Sequence, residues 1–361
     1  MRILFIRYKK SKSVLEGGEQ CSQRNYNVLK SLVGNDNITT YYIHNEFIKK
    51  TPTDYIKGVF YFLKNYYFGL SPKRVREITI EASKYDIVFI DRSVFAIIAK
   101  ALKEERYKGE IITFFHNLEY DYFNAKLKKH QIGRNIVLNC VDKNDEYACK
   151  YSDSIVVLNE RDKNAVKERY GRIADIIVPI TFADKYNQEK FTDKFTREKP
   201  QCLFLGTYFP PNNEGIEWFM KNVYPYVNID VKIVGKGMSK LRDNYSIPDK
   251  VEIISDVPEL KPFLEDADIM ILPIFSGGGM KVKTCESLMY GKNIIGTDEA
   301  FEGYVLDYDK VGGKCNTPQE FIEKIKEFGN NPRPRFNMYS REIFLEKYSE
   351  NIVIKLFEKI L

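Results

Sequence analysis

A triple glycine between two apolar runs constrains the fold of this chain more than any other feature. Residues 269–272 are apolar, Gly277-Gly278-Gly279 follows them, and an amphipathic stretch then leads into a second strand-like run, Asn293-Ile294-Ile295. That order is typical of a strand, a turn, a helix and a second, parallel strand. Glycine lets the backbone approach a ligand closely, and the helix directs free N–H groups and its positive dipole end into the turn. The segment therefore suits an anion.

Three charged side chains add to this turn. Lys281 and Lys283 follow the glycines, and Glu286 lies within the first two turns of the predicted helix. A pyrophosphate with a ribose attached would suit these groups, because the lysines supply positive charge and a carboxylate accepts hydrogen bonds. The turn therefore predicts a nucleotide-linked substrate.

Strand and helix patterns alternate along all 361 residues, a length that suits two domains of about 100–200 residues each. The alternation favours parallel sheets with helices on both faces. The predicted strands are Ile3–Ile6, Thr40–Ile43, Asp86–Ile90, Ile111–Phe115, Ser154–Leu158 and Ile176–Val178, then Cys202–Leu205, Val231–Val234, Val251–Ile254, Ile269–Leu272 and Asn293–Ile295. The segment Pro179–Lys199 is polar and aperiodic. We place the domain boundary there, between a first domain at 1–182 and a second at 183–345.

Glycine-rich and polar turns follow strands in both predicted domains. Two doubly wound domains leave a cleft at the carboxyl ends of their strands, and such folds bind ligands there. We expect five turns to converge on that cleft: Gly17-Gly18, His116-Asn117, Gly206-Thr207, Gly235–Gly237 and Gly277–Gly279.

Charge and cysteine usage narrow the class of protein. Residues 1–180 carry 31 Lys and Arg against 22 Asp and Glu, whereas the remainder carries 25 against 28. A basic first half favours an anionic surface or substrate, and no nucleic-acid-binding module is visible. The six cysteines are scattered without a Cys-x-x-Cys pair, which favours free thiols in a reducing compartment.

No targeting or membrane-spanning segment is visible either. The apolar run that opens the chain is four residues long, between Arg2 and Arg7, which is too short for a signal peptide. No run approaches the roughly 18 apolar residues of a membrane helix. We expect a cytoplasmic protein.

Two turns of the first domain have a functional and a structural interpretation. Gly17-Gly18 can approach a phosphate or form an ordinary turn, and the dinucleotide pattern Gly-x-Gly-x-x-Gly is absent, which disfavours nicotinamide or flavin. His116 at a strand end can hydrogen-bond a sugar hydroxyl or steady developing charge, or it can be structural. Asn117 and Glu119 can cap the next helix.

The turns of the second domain are open to the same two interpretations. Gly206 and Thr207 end its first strand, and Asn212 or Asn213 is expected to cap the following helix. Backbone groups near Val257 can read a base edge. The Asp-x-Asp patterns at 266–268 and 307–309 are better explained as solvated carboxylates, so no metal site is predicted.

The segment Tyr55–Arg76 mixes aromatic residues with lysine and arginine. It can rest on an anionic membrane near a lipid-linked acceptor. It can equally be a helix that packs its aromatic face in the first domain and exposes a basic rim.

Together these motifs resemble the retaining, nucleotide-sugar-dependent glycosyltransferases of family 4, in the subgroup with a Gly-Gly-Met-Lys-x-Lys-x-x-Glu run. The likeness spans nearly the whole chain. In the family's order stand Leu205-Gly206, Pro211-Asn212, Val234–Gly237, Ala267-Asp268, Gly278–Lys283, Glu286–Leu288, Gly291-Lys292, Gly296-Thr297 and Glu302-Gly303. The resemblance implies the GT-B fold, two Rossmann-like domains facing each other across a cleft, with residues 346–361 crossing back onto the first domain.

The resemblance also implies roles for the candidate residues. Glu286 would hold the ribose hydroxyls, and the turn Gly278, Gly279, Met280 and Lys281, with Lys283, would hold the pyrophosphate. From the other domain, Gly17 and Gly18 would approach the phosphates or acceptor, and His116 would contact the donor sugar. We therefore expect His116, Glu286 and Lys281 to carry catalysis, and Gly206, Thr207, Gly235 and Val257 to complete the donor site. The family uses no catalytic metal and no cofactor.

The sequence departs from the family pattern in three places, one of which is the linker, where Pro179–Asp184 replaces the usual Pro-Asn-Gly. Many members carry a second glutamate seven residues before the one at 286, and here that position is Gly279. Many also carry an arginine and a lysine after the first strand of the second domain, and residues 207–214 contain neither.

The sequence favours a glycosyltransferase that moves a hexose onto a glycan or lipid-linked glycan. A catalytically silent subunit that binds a partner transferase or a glycan is an alternative, as is a nucleotide-sugar epimerase of the same fold. The epimerase needs acid and base carboxylates that we do not find in the expected cleft.

Overall fold

A computed structural model describes residues 1–8, 17–44, 52–186, 199–331 and 333–361. The chain forms two compact units: unit 1 is Met1–Pro179 with Val353–Leu361, and unit 2 is Ile180–Ile352. Residues 13–16, next to the first predicted glycine turn, and residues 187–198 of the predicted linker lie outside the described residues.

Unit 1 contains a parallel sheet of six strands in the order β2-β1-β3-β4-β5-β6. The strands are β1 (Ile3–Tyr8), β2 (Ile38–Ile43), β3 (Ile87–Ile90), β4 (Glu110–Phe114), β5 (Ser154–Val157) and β6 (Ile176–Ile177). In the register of the central strands, Ile3 lies opposite Ile38 on one side and Ile87 on the other. The β3 sequence Ile-Val-Phe-Ile is buried throughout, as a strand covered on both faces requires.

Helices connect these strands. They are α1 (Gly17–Val33), α2 (Pro52–Leu63), α3 (Pro72–Ala82), α4 (Ile97–Glu104), α5 (Glu119–Lys126), α6 (Arg134–Tyr151) and α7 (Glu160–Tyr170). The strand order changes direction between β1 and β3, because β2 lies on one side of β1 and all later strands lie on the other. Segments that leave the carboxyl ends of β1 and β3 diverge at this point, where doubly wound folds bind ligands.

Unit 2 contains a second parallel sheet, in the order β12-β11-β10-β7-β8-β9. Its strands are β7 (Gln201–Leu205), β8 (Asp230–Gly235), β9 (Glu252–Ser255), β10 (Ile269–Leu272), β11 (Asn293–Gly296) and β12 (Gly312–Lys314). Cys202 of β7 pairs with Val231 of β8 and with Ile269 of β10. The order is that of a Rossmann fold, and its change of direction lies between β7 and β10.

The helices of unit 2 begin with α8 (Pro210–Asn222) and α9 (Leu241–Asn244). They continue as α10 (Lys261–Asp266), α11 (Val282–Met289), α12 (Tyr308–Val311), α13 (Pro318–Asn330) and α14 (Met338–Ile343), which runs on into a π turn at Phe344–Tyr348. The last helix, α15 (Glu350–Phe357), starts in unit 2 and ends in unit 1, where the ring of Phe357 lies 5.8 Å from that of Phe89.

The predicted fold class is confirmed, since both units have parallel six-stranded sheets with connecting helices. All eleven predicted strands are present, with bounds shifted by at most two residues, but β12 was not predicted. The six cysteines are buried free thiols, as expected. Among the described helices, none has the length and apolar character needed to cross a membrane.

Candidate functional site

The triple-glycine turn lies where the strand order of unit 2 changes direction. Gly206 follows the last residue of β7, and the loop 273–281 joins β10 to the start of α11. These neighbouring strands send their connections to opposite faces of the sheet, which opens a crevice at their carboxyl ends. The predicted strand, turn, helix and strand are all present, so the local structure is confirmed.

Glycine conformation and anchoring hydrogen bonds shape the loop. Gly277 and Gly279 have φ of 135° and 61°, which disfavour any other residue. The hydroxyl of Tyr304 donates to the carbonyl oxygen of Lys281 at 2.8 Å, and the hydroxyl of Thr297 donates to that of Ile274. The loop is therefore fixed at both ends by residues that follow β11.

The start of α11 offers its N–H groups to the loop. Lys281 occupies the N-cap position and its side chain makes no capping hydrogen bond. The first helical turn carries no acidic side chain. Free N–H groups at a helix N-terminus, together with the helix dipole, favour an anion at this position.

Lys281 is engaged by a neighbouring carboxylate. Its Nζ donates to Glu299 Oε1 at 2.6 Å and to the carbonyl oxygen of Gly279 at 2.8 Å. The side chains of the pair are 11% and 18% exposed, so the ion pair is largely shielded from water. A phosphate that takes Lys281 must displace or share this contact.

Lys283 extends to the connection that follows β7. Its Nζ donates to Asn212 Oδ1 at 2.7 Å and lies 4.3 Å from the ring centroid of Phe204. Burial, together with repulsion from Lys281, lowers the pKa of Lys283 to about 7, although Glu286 opposes the shift. The hydrogen-bond acceptor of this lysine is a neutral amide, and burial makes its protonated form unfavourable. A bound anion would stabilise the protonated form.

Glu286 lies one turn after Lys283 on the same helix. Burial raises the pKa of the Glu286 carboxyl to about 7, and Lys185 and Lys283 oppose that shift. A carboxyl that titrates near neutrality can accept or donate a hydrogen bond, as binding to hydroxyl groups requires.

The other predicted site residues of unit 2 lie at the carboxyl ends of its strands or are buried in the unit. A Cβ on Gly235 would lie 1.8 Å from the carbonyl oxygen of Gly206, so close approach of the two backbones explains Gly235. Val257 is half-buried and follows β9. The Met280 side chain is buried, and its sulfur accepts a hydrogen bond from the Ile180 N–H at 3.4 Å. Any ligand contact of Met280 would therefore use its backbone.

The predicted cap of α8 is wrong. Two prolines start this helix at Pro210, so Phe209 takes the N-cap position and both asparagines lie inside the first turn. Asn213 Oδ1 accepts from the Phe209 N–H, and Asn212 Nδ2 donates to the Thr207 carbonyl oxygen at 2.8 Å. Asn212 thereby links Thr207 to Lys283.

In unit 1 the predicted glycines open α1 beside an arginine. A Cβ on Gly18 would lie 2.5 Å from Arg92 Nη2 and 4.0 Å from His116 Nδ1. Gly17 is the first residue of the helix. Gly18 therefore makes room for Arg92, which the sequence analysis did not identify.

His116 belongs to a buried cluster of ionisable groups. Its Nε2 lies 3.4 Å from Asp91 Oδ1, and the two side chains are 2% and 1% exposed. Burial alone would lower the pKa of His116, but Cys21 and Asp91 raise it to about 9. Burial alone would raise the pKa of Asp91, but His116, Ser22 and Asn25 lower it. His116 is therefore an imidazolium paired with a carboxylate at neutral pH.

Cys21 and Arg24 complete this cluster from α1. Arg24 Nη2 donates to Cys21 Sγ at 3.2 Å, and Arg24 Nη1 donates to the Pro179 carbonyl oxygen at 2.9 Å. Burial alone would raise the pKa of the Cys21 thiol, but Arg24 and His116 lower it. Arg24 thus favours the thiolate form of Cys21, next to the pair formed by His116 and Asp91.

The predicted capping of α5 by Asn117 or Glu119 is wrong. Leu118 holds the N-cap position without a side-chain bond, and Asp145 accepts from the Tyr120 N–H at 3.0 Å instead. Glu119 is 1% exposed. Burial alone would lower the pKa of Arg92, but the charge of Glu119 is the main cause that raises it.

Several site residues could not be found from sequence. Glu299, Asp91 and Arg92 belong to no sequence motif and acquire their partners through the fold, and the sequence did not indicate the contact of Asn212 with Lys283. Cys21 was interpreted only as a buried thiol. Within the described parts of the chain, no group of three His, Cys, Asp or Glu side chains could hold a metal ion.

Comparison with known proteins supports this description of the fold. Residues 199–331, all within unit 2, match the family described as Glycosyl transferases group 1. An uncharacterized 44.6 kDa protein in the cps region of Klebsiella pneumoniae is 26% identical over 289 residues, which is 72% of this chain and 69% of that protein.

Similar solved structures cover both units. A sucrose-phosphate synthase from Thermosynechococcus elongatus has a TM-score of 0.70 at 12% identity, over 99% of this chain and 98% of its own. A glycosyltransferase from Rickettsia africae has 0.67 at 15% identity, over 99% and 97%. HepE from Anabaena, in complex with UDP-glucose, has 0.65 at 12% identity, over 100% and 99%. The protein has the GT-B fold.

Proposed function

We propose that this protein is a glycosyltransferase that moves a hexose from a nucleotide diphosphate sugar to a glycan or lipid-linked glycan, with retention of configuration. The observation that carries the proposal is the triple-glycine loop at the change of strand direction in unit 2. There, two lysines and a carboxyl surround a helix N-terminus that no side chain caps. The family match of residues 199–331 supports the same reaction class.

Different residues of the proposed donor site would bind the pyrophosphate and the ribose. The backbone of Gly278 and Gly279, with Lys281 and Lys283, would bind the pyrophosphate, and Glu286 would accept hydrogen bonds from the ribose hydroxyls. A bound diphosphate would keep Lys283 protonated, although burial lowers the pKa of its ammonium to about 7 in the free protein. HepE binds UDP-glucose, so UDP and UDP-glucose are the first ligands to test.

In unit 1 we propose that Gly18 and His116 act on the sugar side of the donor. The imidazole of His116 is almost fully buried and already paired with Asp91 through Nε2. Its Nδ1 lies on the side of Gly18, within about 4 Å of where a Cβ would stand. We propose that Nδ1 is the ring nitrogen that contacts the sugar, because Nε2 faces Asp91.

The proposed reaction needs no protein nucleophile. The acceptor hydroxyl oxygen forms a bond to the anomeric carbon as the bond from that carbon to the diphosphate oxygen breaks, on the same face of the sugar. The proton of the acceptor passes to the departing diphosphate oxygen. Lys281, Lys283 and the helix N-terminus would stabilise the charge on the diphosphate as it leaves. We propose neither a metal nor a cofactor for this step.

A thermal-shift screen tests the donor site first. Purified protein is heated with UDP, GDP, ADP, CMP and their common sugars, and a ligand that binds the folded state raises the melting temperature. One diphosphate should stand clear of the others. No shift with any of them would contradict the donor site.

A nucleotide-release assay then tests transfer. The sugar donor that binds should release its nucleoside diphosphate faster when a glycan acceptor is added, and EDTA should leave that rate unchanged. Tight binding without release would favour a silent subunit. A rate that EDTA abolishes and Mg²⁺ or Mn²⁺ restores would contradict the metal-free mechanism.

A further inference from the structure

Helix α2 of unit 1 carries a row of large apolar side chains that face solvent. Ile56, Val59, Phe60 and Leu63 are 71%, 49%, 50% and 63% exposed. Their spacing of three and four residues places them on one side of the helix, within about two turns. Phe68, just after the helix, is 42% exposed. We call these five residues the α2 face.

The same helix already has a separate contact with the core of unit 1. Phe62 is buried, its ring lies 5.7 Å from that of Tyr67, and both belong to the core that includes Leu70. The α2 face is therefore a second apolar surface of the helix, separate from the side that packs on the core. A contiguous exposed apolar surface of this kind commonly marks an interaction site.

The charges around the α2 face are mainly positive. Residues 52–76, from the start of α2, contain five Lys and Arg against one acidic residue, Asp54. Lys57 and Lys64 are exposed on the helix and directly after it, and Lys64 Nζ lies 4.5 Å from the ring centroid of Phe60. Apolar side chains flanked by lysines are suited to an interface with anionic headgroups above acyl chains.

We propose that the α2 face docks on the surface of an anionic lipid bilayer, with the apolar side chains inserted between headgroups and the lysines bound to phosphates. A twelve-residue helix is about 18 Å long, short of the roughly 30 Å hydrocarbon core, so it would lie in the interface and not span it. A second copy of the chain is a poorer occupant, because a two-fold contact through this face would bring like charges together.

The proposal concerns a surface that the proposed transfer does not use. Vesicle binding needs neither a donor nor turnover, so its failure and the failure of the transfer reaction are distinguishable. If the protein both docks on a bilayer and transfers a sugar, the docking would bring it to a lipid-linked acceptor.

Vesicle sedimentation tests the proposal with the full chain. One set of vesicles is phosphatidylcholine, and the other is phosphatidylcholine mixed in equal parts with phosphatidylglycerol. We expect binding to the mixed vesicles that weakens with added salt, and far less binding to phosphatidylcholine. The double variants Phe60→Ser with Leu63→Ser, and Lys57→Glu with Lys64→Glu, should each lower the partition coefficient by about tenfold or more.

Matched controls come from elsewhere in unit 1. Ile132 and Ile173 are 101% and 53% exposed, so Ile132→Ser with Ile173→Ser removes two exposed apolar residues. Lys128→Glu with Lys129→Glu makes the same change in net charge at two exposed lysines. Both controls should bind mixed vesicles like the unaltered protein, and all variants should keep its melting temperature.

Two outcomes would overturn the proposal. One is equal vesicle binding by the α2 variants and their controls. The other is a dimer in lipid-free analytical ultracentrifugation that Phe60→Ser with Leu63→Ser dissociates, since the face would then bind a second copy.

Discussion

The two candidate regions use charge in opposite ways. In unit 1 the side chains of His116, Asp91, Cys21 and Arg24 are buried, and each is close to a group of opposite charge. In unit 2 the lysines lie at a glycine loop, and Lys283 has a neutral amide as its hydrogen-bond acceptor. The pair of His116 and Asp91 is compensated within unit 1, whereas the charge of Lys283 in unit 2 faces a neutral acceptor and would be stabilised by an anion.

The pKa values express this difference. Neighbouring groups hold His116 charged, with a pKa of about 9, whereas burial lowers the pKa of Lys283 to about 7. A buried charge whose partner is in place belongs to the folding free energy, because removing the partner leaves it uncompensated. A charge that the fold disfavours can instead be stabilised by a ligand. Substitutions in the cluster around His116 should therefore lower stability, and substitutions of Lys283 or Glu286 should lower ligand affinity.

The largest expected effect is on stability and falls in unit 1. Asp91→Ala removes the carboxylate beside His116 and should lower the free energy of unfolding by about 3–5 kcal/mol, measured by urea denaturation. The control Glu77→Ala removes one member of a surface pair at 3.9 Å and should cost about 1 kcal/mol or less. Equal losses in the two variants would show that the unit 1 cluster does not stabilise the fold.

The next largest effect is on nucleotide binding in unit 2. Glu286→Ala should weaken diphosphate binding by about 1–3 kcal/mol, because the ribose hydroxyls lose their acceptor. Titration calorimetry with UDP, or with the diphosphate that the screen selects, measures it. Glu323→Ala, at an exposed position of α13 in the same unit, should leave the dissociation constant unchanged. Unchanged binding in Glu286→Ala would remove the proposed role of this residue.

How well the sequence predicted the fold depended on side-chain patterning. Strands such as β3 and β10 are continuous apolar runs because both faces of the sheet are covered, so they were predicted almost residue by residue. Strand β12 is Gly-Gly-Lys and has no such pattern. A Cβ on Gly312 would lie 2.4 Å from the Ile294 carbonyl oxygen, so that strand is defined by backbone packing.

The candidate sites, like the strands, were predicted only where the residues form a pattern that is continuous in sequence. The loop with Lys281 and Lys283 was predicted because its glycines, lysines and helix are contiguous in sequence. The partners of His116 were not predicted. Cys21 and Asp91 follow β1 and β3, and they come close to His116 only because these strands lie next to β4 in the sheet. The contact of Lys283 with Asn212 spans 71 residues of sequence for the same reason.

A pH titration of binding sharpens the contrast, because the pKa values of Lys283 and Glu286 are about 7 whereas that of His116 is about 9. Lys283 is mainly charged below its pKa of about 7 and mainly neutral above it, so diphosphate binding at higher pH must take up a proton. The Glu286 carboxyl ionises over the same range and adds negative charge. The dissociation constant should rise about threefold to tenfold between about pH 6.5 and 8.5.

Lys283→Arg provides the control for that titration. A guanidinium stays protonated across this range, so the variant should show a flatter dependence on pH, whatever its absolute affinity. An equal slope in the two proteins would mean that Lys283 is not the group that takes up the proton.

The smallest expected effect concerns Lys281, a lysine of unit 2 that is paired with a carboxylate as His116 is in unit 1. Lys281 is held by Glu299 at 2.6 Å, in a pair that is largely shielded from water. Glu299→Gln keeps a hydrogen-bond acceptor but removes the competing charge, so a diphosphate should bind about two- to fivefold more tightly, a gain of about 1 kcal/mol or less. Titration calorimetry at constant pH measures it.

Asp298→Asn is the matched control, because it removes the same charge from the adjacent residue, which pairs with Lys314 at 2.8 Å. It should leave diphosphate affinity nearly unchanged. Weaker binding in Glu299→Gln would mean that Glu299 positions Lys281 for the ligand and does not compete with it. The pair of Lys281 and Glu299 would then act like the cluster around His116, in which a buried partner maintains the geometry. The contrast between compensated charges in unit 1 and an uncompensated charge in unit 2 would then hold for Lys283 alone.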